Sequence, residues 1–312
     1  MSGILVLRAL GLGDLLVAVP ALRGLRRAFP DERITLAAPE PLRELVPLLD
    51  AVDDLVPVPG LGALKAPEER PTLLVNLHGS GPESLADLAA VAGEAPVMSH
   101  AHADFPQYRG PQWTEELPER ERWCRLLSYY GIDADPGELR IGRPAESSPV
   151  PGAVVVHPGA AFPARRWPPT RFSTVARELA AAGHRVVITG SAAERELARE
   201  VAAGAGLGEG AVFAGRTGLR ALTALIADAA LVVCGDTGVA HLASACGTAS
   251  VLLFGPTAPA RWGPPDQGRH IVLWAGTTGD PFADRPDPGL LKIEVPDVLS
   301  ATRQALGGER DG

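Results

Sequence analysis

Residues 231–257, LVVCGDTGVAHLASACGTASVLLFGPT, constrain the fold more than any other stretch of the chain. Two short apolar runs, 231–234 and 250–254, each end at a glycine, a pattern typical of strands buried in a parallel sheet. Between them, apolar side chains recur at helical spacing over 239–246. The stretch therefore predicts a strand, a tight turn, a helix and a second parallel strand, the repeating unit of an open α/β sheet.

The turn between that strand and helix carries the polar residues of the unit. Because parallel strands end at one edge of their sheet, these residues are predicted to lie at the carboxyl edge, where open α/β sheets bind ligands. Asp236 or Thr237 can cap the helix, and its free N–H groups favour an anion such as phosphate. His241 shares a helix face with Thr237 and acts either as a ligand of that anion or as a structural hydrogen-bond donor. The candidate residues of this turn are Asp236, Thr237, Gly238 and His241.

The same alternation of short apolar runs and amphipathic segments continues along the rest of the chain. Short loops between strands and helices favour right-handed βαβ units, so each half is predicted to form a doubly wound parallel sheet. Residues 142–152, GRPAESSPVPG, lack apolar periodicity and suit a linker. We place a first domain at 1–145 and a second at 146–312. The last helix, about 297–307, is expected to pack back on the first domain.

Apolar periodicity defines the predicted elements, and glycine, proline and polar residues mark their ends. Strands are predicted at 4–7, 34–37, 56–58, 72–77, 96–99, 153–156, 185–189, 211–214, 231–234 and 250–254. Helices are predicted at 15–29, 41–49, 83–92, 113–130, 170–182, 192–205, 219–227, 239–246 and 298–306.

Composition excludes several classes of function. The 312 residues suit two domains, and a net charge of −8 argues against a nucleic-acid partner. The three cysteines are scattered, so we expect buried thiols of a reducing compartment and no bound metal. The apolar residues 4–25 are interrupted by glycines and an aspartate, unlike a signal peptide, and no stretch is long enough to span a membrane. The predicted location is cytoplasmic, and peripheral membrane contact through a substrate stays open.

A glycine-containing loop follows the first predicted strand. Gly11 and Gly13 resemble the start of a dinucleotide-binding fingerprint, but Leu16 stands where its third glycine is needed. We therefore expect no nicotinamide or flavin cofactor. Asp14 projects from the first turn of the next helix and either caps that helix or acts as a general base. A second polar turn, which includes His78, follows the strand at 72–77.

In the second half, the loop at 157–167, HPGAAFPARRW, follows a predicted strand. It begins with His157, and Gly159 forces a turn. Arg165 and Arg166 supply fixed positive charge suited to bidentate phosphate contact, although paired arginines are also common on solvated surfaces.

The next strand is followed by TGSAAERE, which contains Ser191 and Glu194. Glu194 either accepts hydrogen bonds from a ribose or complements the helix dipole. Together, the loops offer one carboxylate from the first domain and anion-binding elements from the second. This combination suits activation of a nucleophile against a bound diphosphate leaving group.

Three motifs at consistent spacing resemble one known family: GLGDLLVAVPAL at 11–22, HPGAAFPARRWP at 157–168 and GDTGVAHLASACGTASVLLFGPT at 235–257. The chain is similar to glycosyltransferase family 9, the heptosyltransferases of lipopolysaccharide core synthesis, and most to the heptosyltransferase II branch. The likeness covers most of the chain in order. It is strong in the second half and weak over about 51–145.

The resemblance implies a GT-B fold, with two Rossmann-like domains facing across a cleft. It further implies an inverting transfer from a nucleotide diphosphate sugar, ADP-linked and heptose-like, without an obligatory metal, a cofactor or a covalent intermediate. The acceptor is expected to be a hydroxyl of a glycan, a glycolipid or a small molecule. Two alternatives stay open: a GT-B nucleotide-sugar epimerase or hydrolase, and an inactive nucleotide-sugar-binding protein.

The resemblance also assigns roles to individual residues. Asp14 matches the proposed general base, and Arg165 falls where the family usually has a lysine that contacts the donor phosphates. This difference keeps the charge but changes its geometry, so Arg166 is an alternative phosphate ligand. The donor-side residues are His157, Gly159, Arg165, Arg166, Ser191, Glu194, Asp236, Thr237, Gly238 and His241. The acceptor-side residues are Gly11, Gly13 and His78.

Overall fold

The computed structural model describes residues 3–266 and 268–307. The chain divides into two compact units between Gly142 and Arg143, close to the boundary that we place after residue 145. The predicted domain ranges also include residues 1–2, 267 and 308–312, which lie outside the described part. Each unit contains one five-stranded sheet in which all paired strands are parallel, so the predicted α/β class is confirmed.

The first unit alternates strands and helices around a sheet of order β3-β2-β1-β4-β5. Its strands are β1 Ile4–Leu7, β2 Ile34–Ala38, β3 Asp54–Pro57, β4 Leu73–Asn76 and β5 Val97–Met98. Its helices are α1 Leu12–Ala28, α2 Val46–Leu49, α3 Glu83–Ala92 and α4 Glu119–Tyr129, and a 3-10 turn Glu40–Leu45 precedes α2. The first strand has β2 on one side and β4 on the other, so the loops after β1 and β4 diverge at the switch point where ligands bind.

The second unit repeats this plan with order β10-β9-β8-β6-β7. Its strands are β6 Val154–His157, β7 Val186–Ile188, β8 Leu231–Gly235, β9 Ser250–Phe254 and β10 His270–Trp274. Its helices are α5 Pro169–Ala181, α6 Arg195–Gly204, α7 Leu219–Ala227, α8 Gly238–Cys246, α9 Pro259–Trp262, α10 Pro288–Leu291 and α11 Val295–Gly307. The switch point of this sheet lies between β6 and β8.

Continuous burial of the strands explains why they form. Strands β1, β4, β6, β8 and β9 are buried at every position, as expected for parallel strands covered by helices on both faces. In α1, every residue from Leu15 to Leu22 is buried, which holds the first turn of that helix beside the end of β1. Across the described residues, 3–266 and 268–307, no helix is both long and apolar enough to cross a membrane.

Among the predicted elements, one strand and one helix differ most from the structure. The strand predicted at 211–214 is instead a 3-10 turn, Glu209–Ala211, followed by a single bridge, in which only Val212 pairs with Ile188 of the edge strand β7. The helix predicted at 113–130 begins only at Glu119, after Pro118 in an extended conformation. Within the second unit, Val298 and Ala301 of α11 belong to the core, and the expected packing of this helix on the first domain stays a prediction.

Candidate active site

The end of β1 lies beside the end of β4 in the first unit. Leu7 pairs with Asn76, and the N–H of Leu77 donates to the carbonyl of Leu7 at 3.1 Å. The residues that follow, Arg8 and Leu77, therefore leave the sheet side by side at its carboxyl edge. This is the edge at which the sequence places Asp14 and His78.

Asp14 lies in the first turn of α1, but Gly11 occupies the N-cap position. Asp14 is thus not the cap of the helix, although its charge still complements the helix dipole. Its side chain is 30% exposed, and its Oδ1 lies 3.7 Å from Nη2 of Arg8. A Cβ built on Gly11 would lie 3.6 Å from Asp14 Oδ2, so the glycine keeps the space beside the carboxylate open. Asp14 is therefore a partly accessible carboxylate backed by a cation.

Sequence analysis missed Arg8, which is completely buried. Its Nε donates to the carbonyl of Asp14 at 2.9 Å, and its Nη1 donates to the carbonyl of Leu77. Its guanidinium also lies 4.8 Å from the ring centroid of Trp123 on α4. The sequence does contain a signal for Arg8. An arginine directly after an apolar strand and before a glycine-containing loop is unexpected unless it has a specific structural or functional role. What the sequence did not show is that its partners come from three different elements.

His78 follows β4 in a turn fixed by hydrogen bonds. Its N–H donates to Oδ1 of Asn76 at 3.0 Å, while Nδ2 of Asn76 donates to Oγ of Ser84 at 3.0 Å. Burial lowers the pKa of His78, and the charge of Arg8 lowers it further against the opposing charge of Asp14. A neutral imidazole thus lies near the predicted base.

The two predicted phosphate loops of the second unit are in contact. Strand β6 pairs with β8 so that His157 lies opposite Cys234, and both strands end at the same edge. A Cβ built on Gly235 would lie only 2.9 Å from the carbonyl oxygen of Arg165. The loop 157–167, which carries Arg165 and Arg166, is called the arginine loop below. Any side chain at Gly235 would push this loop away from the turn that precedes α8.

The adjacent arginines of this loop have different surroundings. Nε of Arg166 donates to the carbonyl of Ala160 at 2.8 Å, which ties that side chain to its own loop. The Arg165 guanidinium lies 5.4 Å from the ring centroid of Phe162. Its Nε is buried and has no hydrogen-bond partner among the residues that the structure describes. Of the two, Arg165 has the greater capacity left for an added anion.

Glu194 forms a capping box with Ser191 at the start of the 3-10 turn Ala192–Glu194. The N–H of Ser191 donates to Oε2 of Glu194 at 2.7 Å. Burial opposes ionisation of Glu194, but the hydrogen bonds from Ser191 and the positive charge of Arg166 outweigh it and lower the pKa of the carboxyl. Glu194 therefore has a structural role, in addition to the ribose contact that the resemblance implies.

His157 is buried beneath this edge, and its Nδ1 lies 3.0 Å from Oγ1 of Thr189. Burial lowers the pKa of His157, and the charge of Glu194 opposes this change. We conclude that His157 joins the ends of β6 and β7 as a neutral group.

The turn before α8 keeps the arrangement that the sequence predicts. Thr237 is the N-cap, Gly238 is the first helical residue and Asp236 is buried. His241 lies in the first turn of α8, with its ring edge-on to Trp262 at a centroid distance of 6.0 Å. In the described ranges, no group of three His, Cys, Asp or Glu side chains is arranged to hold a metal ion.

Comparison with known proteins identifies the family. The family model for glycosyltransferase family 9 (heptosyltransferase) matches residues 99–285. The lipopolysaccharide heptosyltransferase 2 of Escherichia coli is 27% identical over 300 residues, and the match covers 82% of this chain and 83% of that protein.

Two solved structures share the fold. A family 9 glycosyltransferase from Veillonella parvula has a TM-score of 0.79 at 21% identity, with 98% of this chain and 97% of that chain covered. The E. coli ADP-heptose lipopolysaccharide heptosyltransferase II has a TM-score of 0.78 at 23% identity, with 99% of each chain covered. These likenesses confirm the GT-B fold. Because the family match spans more than half of its length, the chain belongs to glycosyltransferase family 9, the heptosyltransferase family, and is a glycosyltransferase.

Proposed function

We propose that the protein transfers a heptose-like sugar from an ADP-linked donor to a hydroxyl of a glycan, a glycolipid or a small-molecule acceptor. The names of the E. coli relatives support the donor, since one is an ADP-heptose heptosyltransferase. The observation that carries the proposal is the partly exposed carboxylate of Asp14, held next to a buried cation at the carboxyl edge of the first sheet. A pure binding protein has no need of this group.

The proposed reaction is a single displacement with inversion. Asp14 accepts the proton of the acceptor hydroxyl while the oxygen of that hydroxyl forms a bond to the anomeric carbon of the donor sugar. The bond between that carbon and the diphosphate oxygen breaks, and ADP leaves with the electron pair. No covalent sugar–enzyme intermediate is formed, so one displacement inverts the anomeric configuration.

The second unit is proposed to bind the donor and to stabilise the leaving diphosphate. The open hydrogen-bond capacity of Arg165 and the first N–H groups of α8, near Gly238, provide positive charge and donors where negative charge develops. Glu194 is proposed to accept a hydrogen bond from the ribose.

Because Arg165 and the first N–H groups of α8 supply the charge stabilisation, we propose that transfer needs no metal ion. Undiminished turnover in EDTA is the expected result, and a strict requirement for a divalent cation would contradict it.

The net charge is distributed unequally between the two units, and this distribution bears on the charge of the acceptor. Residues 1–142 contain 21 Asp and Glu against 13 Lys and Arg, so the whole net charge of −8 belongs to the first unit. An acidic surface slows the approach of polyanions. We therefore propose that the first unit receives a neutral or weakly charged part of its acceptor. The cytoplasmic location stays a prediction.

The test of the proposed function begins with ADP-heptose as donor and a panel of neutral and phosphorylated glycans as acceptors. Once a product is found, Asp14→Asn is expected to abolish transfer and to leave ADP affinity, measured by calorimetry, nearly unchanged. Full turnover by this variant would eliminate Asp14 as the base. Consumption of the donor at full rate without any acceptor would favour the hydrolase or epimerase alternative. Binding of ADP-heptose with no turnover under any condition would favour the inactive binding protein.

A further inference from the structure

The buried Arg8 is not used by the reaction proposed above, yet a buried guanidinium is costly unless it is paired. Two of its nitrogens are fixed by backbone carbonyls: Nε by Asp14 and Nη1 by Leu77. These bonds join the end of β4 to the first turn of α1. Because a guanidinium is planar, they also fix the direction of the remaining nitrogen, Nη2.

Nη2 of Arg8 lies between two carboxylates. It is 3.7 Å from Oδ1 of Asp14 and 3.6 Å from Oε1 of Glu119. Both distances are within ion-pair range, but Nη2 makes no hydrogen bond within the described part of the chain. Glu119 is in turn paired with the buried Arg122, so its charge is shared between two cations. Asp14 has no such second pairing among the ion pairs that the structure describes.

The other charged groups that face this position come from two further elements. His78, after β4, is neutral near pH 7 because burial and Arg8 lower its pKa. The charge of Asp87 on α3 raises the pKa of His78 but does not outweigh these two effects. Among the described ion pairs, Arg8 is the cation paired with Asp14, and Glu119 is the carboxylate that competes for it.

We propose that Arg8 is a positioning residue for Asp14: it fixes the first turn of α1 through the Asp14 carbonyl, and its Nη2 keeps the Asp14 carboxylate in place as an ion-pair partner. This inference rests on the proposed function only in that Asp14 is taken as the base. It predicts that charge and geometry at Arg8 have separable effects, because a lysine keeps the charge but does not replace two fixed backbone hydrogen bonds.

The test measures the surroundings of the Asp14 carboxylate directly and needs no acceptor. The protein is labelled with carbon-13 at aspartate carboxyl groups, and Asp14→Asn identifies the Asp14 signal. At neutral pH, the chemical shift of that signal is expected to change in Arg8→Met, because the paired cation and the hydrogen bond to the Asp14 carbonyl are both lost. In Arg8→Lys a smaller change is expected, because the charge is kept.

Glu119→Gln is the matched control, because it changes the same buried network and leaves Arg8 in place. It is expected to leave the Asp14 signal near its wild-type position, since Arg8 still holds the Asp14 carbonyl and faces its carboxylate. Turnover is followed as slow release of ADP from ADP-heptose to water. It is expected to fall about 100-fold in Arg8→Met and about tenfold in Arg8→Lys, with ADP affinity unchanged in both.

Each outcome decides the inference. An Asp14 signal at its wild-type position in Arg8→Met, or equal changes in the methionine and lysine variants, would overturn it. If Arg8→Met does not fold by circular dichroism, the lysine variant decides: wild-type turnover there would show that the guanidinium geometry is unnecessary. An active Asp14→Asn variant would defeat the proposed function. An inactive Asp14→Asn together with an unshifted Arg8→Met would defeat this inference alone.

Discussion

The backbone of Gly159 lies directly against the carboxylate of Glu194. A Cβ built on Gly159 would overlap Oε1 of Glu194 and would lie 2.8 Å from its Oε2. Glu194 has little freedom to move away, because its capping box with Ser191 fixes it at the start of a 3-10 turn. The loops after β6 and β7 are therefore in contact at this point. Gly159 is predicted to lie at the donor site, and its lack of a side chain lets the backbone of its loop approach Glu194 closely.

Replacing Gly159 with alanine is expected to separate these loops. Overpacking of this kind costs on the order of 1–3 kcal/mol, so the melting temperature should fall by several degrees. ADP affinity should fall at least about tenfold, because Gly159 lies in the arginine loop, 157–167, together with Arg165, and this loop contacts the turn before α8 at Gly235. Thermal unfolding and calorimetry with ADP measure both effects.

Gly210→Ala is the control for this substitution, since a Cβ at Gly210 meets no described atom within 4 Å. It should change neither quantity. Wild-type ADP affinity in the Gly159→Ala variant would mean that the contact between Gly159 and Glu194 does not shape the donor site.

Arg165 and Arg166 should respond differently to removal. Arg165→Ala is expected to weaken ADP binding by about 1.5–3 kcal/mol, the scale of a hydrogen bond to a charged group. Arg166→Ala removes the bond to the Ala160 carbonyl and is expected to lower the melting temperature more than it lowers affinity. Calorimetry and thermal unfolding on both variants separate these roles. Unchanged affinity in Arg165→Ala would refute its assignment as the phosphate ligand.

The parts of the fold that could be predicted are those encoded by local apolar runs. Strands β8 and β9 and helix α8 agree with the sequence prediction to within one residue, because their apolar runs are continuous and end at glycine. Strand β10 was not predicted, since His270–Trp274 is only partly buried at the edge of its sheet. An edge strand of this kind has a weaker apolar signal than a central one.

Site residues that lie in a loop directly after a strand could be predicted from the sequence. Site residues whose role depends on partners far along the chain were missed. Asp14 and Arg165 follow strands directly, so their place at a sheet edge could be inferred from order along the chain. The pairing of Arg8 with Glu119 depends on α4 packing against α1, which no local pattern encodes. The same is true of the contact between Gly235 and Arg165.

The acidic first unit predicts how transfer depends on salt. If the acceptor carries several phosphates, the rate at low acceptor concentration should increase between about 20 mM and about 200 mM NaCl, because salt screens the repulsion. Transfer to a neutral glycan should change little over the same range. Initial rates with a matched phosphorylated and neutral pair measure the difference. A phosphorylated acceptor that reacts faster at low salt would point to a local basic surface that outweighs the net charge.

His100 should make the first unit sensitive to acid. The residue is buried between Trp113 and Trp123, with ring centroids at 4.9 and 5.8 Å. Burial, followed by the charges of Arg122 and Arg125, lowers the pKa of His100 from 6.5 to about 4. Between these values the unfolded chain binds a proton that the folded chain does not, so stability falls as the pH decreases. The expected contribution reaches about 3 kcal/mol at the acid end.

His100→Phe should remove this contribution while keeping an aromatic ring between the two tryptophans. The Nδ1 of His100 has no hydrogen-bond partner in the described ranges, so phenylalanine leaves no partner of that atom unsatisfied. Pulse proteolysis in urea, scored on fragments of the first unit, measures the free energy of unfolding from about pH 7 to about pH 4.5. The variant should gain stability relative to the wild type as the pH falls. A difference between His100→Phe and wild type that stays constant across this range would show that the buried imidazole is not the acid-sensitive group.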